Sequence, residues 1–183
     1  MKKIALVAGL AAAVAGTASA DVTVTFTNQT WTGFNFTDLA IALGATGFTG
    51  TLTGVSVNAT LNASTNFTYA DDLCVYVDVA PLSTGGLLQV GGFSNLGALQ
   101  RVAWANGGSS SPGTTVIDSK SVNAISFSGT SADATIWLGN GYGAAGTSGT
   151  WTGSITLIGV NAVPAPGAIA LVGLAGLAGR RRR

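Results

Sequence analysis

Apolar residues recur with period two along most of this chain, and that pattern describes strands. Val22, Val24 and Phe26 alternate with Thr23, Thr25 and Thr27, giving one strand an apolar face and a hydroxyl-bearing face. Phe67, Tyr69, Leu73, Val75, Val77 and Val79 share one parity, while Thr68, Asp72, Cys74, Tyr76 and Asp78 take the other. This strongest alternation is expected at the centre of a sheet. Between Phe48 and Leu61 the apolar parity switches near Gly54, which predicts a β-bulge or kink at that glycine.

Further strands are expected over 31–36, 39–43, 87–90, 99–104, 114–118, 122–127, 134–138 and 151–160, separated by turns rich in Gly, Ser and Pro. No internal stretch carries a helical period. The expected fold is therefore all-β: a single antiparallel β-sandwich of jelly-roll-like form over 21–162. It is flanked by an N-terminal signal helix over 1–20 and a C-terminal membrane helix within 163–183.

The start of the chain has the three regions of a secretory signal: Lys2 and Lys3, an apolar run from Ile4 to Ala15, then Ala18-Ser19-Ala20. Cleavage is expected between Ala20 and Asp21. The apolar run is too short to persist as a spanning helix, which needs about 20 residues.

Setting the two ends aside changes the charge. The chain as a whole is formally +1, yet between Asp21 and Val163 only Arg101 and Lys120 face seven aspartates, leaving five net negative charges. A basic nucleic-acid footprint is absent. The chain has no His, no Glu and one Cys. That excludes His-dependent triads, the usual zinc ligands and an intramolecular disulfide. Cys74 is expected as a small, half-buried apolar residue.

Two constellations remain for binding. Asp71, Asp72 and Asp78 offer oxygen ligands of the kind Ca²⁺ takes; local capping of backbone amides is the alternative reading. Among the aromatics, Trp31, Trp104, Trp137 and Trp151 with Tyr142 could stack sugar rings, although Trp in a sandwich is more often core. Trp137 and Tyr142, at the edge of a glycine-rich loop, are the candidate glycan contacts. A third option is aspartate-only glycosidase chemistry, which requires two carboxyls about 5–9 Å apart.

The end of the chain reads Pro164-Ala165-Pro166, then an apolar run over 167–179, then Arg180, Arg181, Arg182 and Arg183. This order resembles the PEP-CTERM sorting signal of exported bacterial proteins, with Ala165 where that family carries Glu. The resemblance implies processing by signal peptidase and by an exosortase-type transpeptidase acting near the Pro-x-Pro motif. It also implies a membrane stage held by the C-terminal helix, transient or permanent, and then the cell surface or extracellular matrix. The arginines oppose translocation and keep that end inside. A plain single-pass anchor is the alternative.

Within the exported part, 67–77 and 149–157 resemble strands of P-domain-like jelly rolls, which are accessory and not catalytic modules. The expected function is a noncatalytic cell-surface or matrix protein near secreted polysaccharide, with no cofactor unless Ca²⁺. A carbohydrate-binding module is the alternative.

Overall fold

A computed structural model describes residues 21–78, 85–130 and 133–165. The signal segment with Ala20, and the tail from Pro166 through Arg180, Arg181, Arg182 and Arg183, lie outside the described residues, as do both flanking helices. No helix among the described residues is long and apolar enough to cross a membrane.

Nine strands form two sheets within the described residues. The first sheet contains β1 (Val22–Thr32), β3 (Ala45–Thr65), β7 (Thr115–Ser128) and β9 (Ser148–Pro164), in the order β1-β9-β3-β7. The second contains β2 (Phe36–Asp38), β4 (Leu73–Asp78), β5 (Leu88–Val90), β6 (Gln100–Val102) and β8 (Thr135–Asn140), in the order β2-β8-β4-β5-β6. Leu61, Trp151, Ile155 and Leu157 of the first sheet share one buried cluster with Leu73, Val75, Val77, Ile136 and Leu138 of the second. The molecule is an all-β sandwich, and β4 is the middle strand of its sheet, as its pattern predicts.

Bulges keep long strands facing one core. β3 changes register between Leu52 and Gly54, so Phe48 and Leu52 before it and Val55, Val57 and Leu61 after it all point inward. A second shift, between Phe26 and Gln29 of β1 with Asn28 at φ 49°, returns Trp31 to the core after Val24. The outward positions of the first sheet form a hydroxyl-bearing face. Register places Thr23, Thr156, Ser56 and Ser119 in one row across all four strands. Thr23 and Thr156 hydroxyls meet at 2.9 Å, and Ser56 and Ser119 at 2.7 Å.

Three expectations are corrected. The 39–43 run is not a strand: Leu39–Ala42 is a helical turn, α1, capped by the Asp38 carboxylate, which accepts the Ala40 and Ile41 N–H groups at 2.8 and 3.3 Å. The 114–118 and 122–127 runs are one edge strand, β7. And the sandwich is not wholly antiparallel, because β5 and β6 pair in parallel.

The parallel pair explains the outer face of the second sheet. Parallel neighbours need a crossover, and here the chain between β5 and β6 passes over the sheet. Gln89 holds it there: its Nε2 donates to the carbonyls of Gly91 (3.1 Å) and Ser94 (2.8 Å), and its Oε1 accepts the Leu96 N–H at 3.0 Å. The Tyr76 hydroxyl donates to the Leu96 carbonyl at 3.4 Å. β4 is consequently buried on both sides, Cys74 and Tyr76 included. Cys74 is thus fully buried where half-burial was expected, and desolvation pushes its thiol well above the ordinary range.

A candidate aromatic cleft built around Asp72

At the end of the sandwich where β3 finishes and β9 begins, three segments converge on one residue, Asp72, two through its carboxylate and one through its main-chain carbonyl. Residues 66 to 72 turn from β3 into β4, ending in a 3₁₀ turn at Ala70–Asp72. One Asp72 carboxylate oxygen accepts the Tyr69 N–H at 2.7 Å, and the other accepts the Phe93 N–H at 3.0 Å, from the crossover. The Asp72 carbonyl accepts the Gly141 N–H at 2.7 Å, from the loop after β8. Asp72 is a buried clip that fixes the backbones carrying Tyr69, Phe93 and the residue before Tyr142.

The side chains so placed form a cleft. Phe67, Tyr69, Phe93 and Tyr142 line it with Asp72, enclosing about 170 Å³. Phe67 and Phe93 are 76% and 73% exposed, far beyond what a core role would leave. Phe93 and Tyr142 stand edge to face, ring centres 5.7 Å apart and planes at 87°. Asn66 and Phe67 both have left-handed backbones (φ 53° and 61°). For a bulky residue such as Phe that conformation is strained. The turn is held by the Asn66 amide donating to the Gly146 carbonyl at 3.0 Å and the Thr68 hydroxyl donating to the Thr65 carbonyl at 3.1 Å. A larger neighbouring hollow shares Tyr69, Asp72 and Phe93 and adds Asp71 and Arg101. The Arg101 guanidinium donates to the Gly92 and Phe93 carbonyls at 3.2 and 2.7 Å.

Burial lifts the Asp72 carboxyl to about 6, aided by the Asp71 charge and opposed by the two amide hydrogen bonds. Burial raises Asp71 as well. An acid-and-nucleophile pair of carboxylates needs environments that push the two groups apart. Here both move the same way for the same reason, which does not divide the labour of a glycosidase.

The sequence-level candidates separate as follows. Asp71 and Asp72 are neighbours, but Asp78 lies at the other end of β4, six positions and about 20 Å away at 3.3 Å per residue. Among the described residues no three His, Cys, Asp or Glu side chains gather as a metal site. Asp72 has the local amide-capping geometry that was the alternative to calcium. Trp31, Trp104 and Trp151 are buried in the core. The Trp151 indole donates to the Ala70 carbonyl at 3.1 Å, supporting the 3₁₀ turn from below. Trp137 sits between Asp38 and Tyr76 on the outer face of the second sheet, its indole N–H buried without a partner, and it does not line the cleft. Tyr142 does.

Phe67, Tyr69 and Phe93 carry no such role in the sequence reading. Period-two counting assigns Phe67 and Tyr69 to the core face because it runs through the turn at Asn66. The one local sign is that Asn66-Phe67 and Gly92-Phe93 each set an aromatic beside a turn-forming residue. Pro164 ends β9 opposite Ala45, the Ala165 N–H donates to the Gly44 carbonyl at 3.3 Å, and Asp21 accepts the Gly159 N–H at 3.0 Å. Comparison of the chain with protein-family models, with characterised proteins and with solved structures finds no match.

Proposed function

We propose that this chain is an exported, noncatalytic cell-surface or extracellular-matrix protein. Its sandwich, jelly-roll-like in kind, presents the aromatic cleft outward while a PEP-CTERM-like tail fixes the opposite pole. The supporting observation is the placement of the two ends of β9. Phe67 lies two residues beyond Thr65, which pairs with Ser148 at the start of β9, whereas Ala165 follows its last residue, Pro164. With 17 residues at about 3.3 Å each, the cleft and the start of the tail are separated by about 50 Å. A domain held at Ala165 turns its aromatic cleft away from the holding surface.

Signal peptidase and an exosortase-type sorting enzyme are the partners during export. The membrane, through the C-terminal helix, is the intermediate station, and extracellular polysaccharide is the surrounding material. Mass spectrometry of both ends tests this in a host carrying such a sorting enzyme. The mature chain should begin at Asp21 and end near the Pro164-Ala165-Pro166 motif, and it should be recovered from the surface fraction. Replacing Arg180, Arg181, Arg182 and Arg183 with serine should abolish C-terminal processing. An intact chain recovered from the cytoplasm would overturn the proposal.

A further inference from the structure

We infer that the cleft formed by Phe67, Tyr69, Phe93 and Tyr142 over Asp72 binds a small organic cation of the quaternary ammonium class, a trimethylammonium group in free solution. Aromatic rings lining a cavity attract such a group through the negative faces of their quadrupoles, without demanding hydrogen bonds that the cation cannot make. Ionised above about pH 6, where the titration is run, Asp72 adds a negative charge to the lining. It is 3% exposed, and the only ion pair among the described residues joins Lys120 to Asp118 at 2.9 Å, so Asp72 is a buried carboxylate without a cationic partner. Two amide N–H groups orient its oxygens but leave its charge uncompensated. The surrounding exported part is itself net negative by five charges. Arg101, the nearest cation, spends its guanidinium on backbone carbonyls of the adjoining hollow.

The same geometry disfavours a sugar. Pyranose stacking uses a broad, flat aromatic face, whereas Phe93 and Tyr142 meet at 87°. A ring of hydroxyls wants several convergent polar side chains, yet apart from two tyrosine hydroxyls the lining offers one carboxylate, already engaged. The cleft itself, about 170 Å³, is of a size to take one compact headgroup. The inference rests on the display proposal only for the direction in which the cleft faces. Titration of the purified chain reports on the cleft however the ends are processed, so the two can fail separately.

The test is calorimetric titration of the full-length chain in a polyoxyethylene detergent, which carries neither sugar nor choline. The probes are tetramethylammonium, choline, the neutral choline isostere 3,3-dimethylbutan-1-ol, and glucose. Tetramethylammonium and choline should bind, with the neutral isostere at least about tenfold weaker, the ratio that separates charge from shape. Phe93→Leu and Tyr142→Leu keep apolar bulk but remove the ring faces, and each should weaken choline by about fivefold or more while the chain still unfolds cooperatively in urea, with a midpoint lowered only by the lost edge-to-face pair. Equal binding of choline and its isostere would overturn the inference, as would glucose binding without choline binding. So would the absence of heat with choline at about 50 mM, weaker than any specific site. Co-sedimentation with phosphatidylcholine vesicles, without binding of free choline, would replace the small ligand by a lipid surface.

Discussion

Asp72 should make this protein lose stability as pH rises, the reverse of ordinary acid denaturation. Burial moves its carboxyl from an ordinary 3.8 to about 6 in the folded chain. Between those values the folded chain holds a proton that the unfolded chain has released. Stability from this group is therefore fully present below pH 3.8 and is lost as pH climbs through 6. The span corresponds to about 2–3 kcal/mol. Asp71, raised in the same direction, adds to the slope. The background is unusually clean, because the chain has no His and no Glu. At Asp118 and Asp133 desolvation is outweighed by accepted hydrogen bonds, so both are lowered and their titration lies below this window. Urea midpoints at constant ionic strength should fall between pH 4 and pH 7 by about 1–3 M, taking about 1–3 kcal/mol per M for the urea dependence. The Asp72 carboxyl carbon should titrate near 6 by NMR. Asp72→Asn should flatten the slope while costing about 1–3 kcal/mol overall, since an amide oxygen serves only one of the two N–H donors. A midpoint that is level or rises over this range, with Asp72 titrating near 4, would refute the reasoning.

Other outcomes follow from the packing. Phe67→Gly should relieve left-handed strain of about 1 kcal/mol, partly offset by the entropy of glycine in the unfolded chain, so thermal stability holds or rises while the cleft loses a wall. Gly91→Ala should unfold the chain or nearly so: at φ 75° its new Cβ would run into the Trp104 indole nitrogen and the Leu73 carbonyl, which are hydrogen-bonded to each other at 2.7 Å. Trp151→Ala should cost about 3–5 kcal/mol in urea unfolding, because it empties a fully buried site and frees the Ala70 carbonyl. Cys74 should be silent toward Ellman's reagent in the native state and titrate as one thiol per chain in urea. Rapid native labelling would show that the crossover does not cover it as the structure has it.

The sheets were legible because burial on one face of a strand leaves a period of two, and because Gly54 marks the place where that parity breaks. The central position of β4 was legible for the same reason. What escaped was wherever a short segment has two physical solutions. Leu39 to Leu43 is equally apolar as strand or helical turn, and the Asp38 carboxylate, by capping two N–H groups, decides it. Ser119-Lys120-Ser121 reads as a turn but belongs to an edge strand, where a polar run meets water on its free side. The cleft escaped because it depends on a single residue, Asp72, whose carboxylate holds positions 69 and 93 and whose main-chain carbonyl holds position 141. No local pattern records that the crossover and the loop after β8 both close onto Asp72.

The length of β9 has a mechanical consequence. It lies between β1 and β3, and its last residues pair with the start of β3 while its first pair with the end of β3. Tension between a tethered Ala165 and anything gripping the far pole would run parallel to these strands. The cross-strand hydrogen bonds would then be loaded together in shear rather than opened one after another. Pulled along this axis the sandwich should behave as a stiff rod, yielding at a higher force in single-molecule extension than when peeled from the β1 edge.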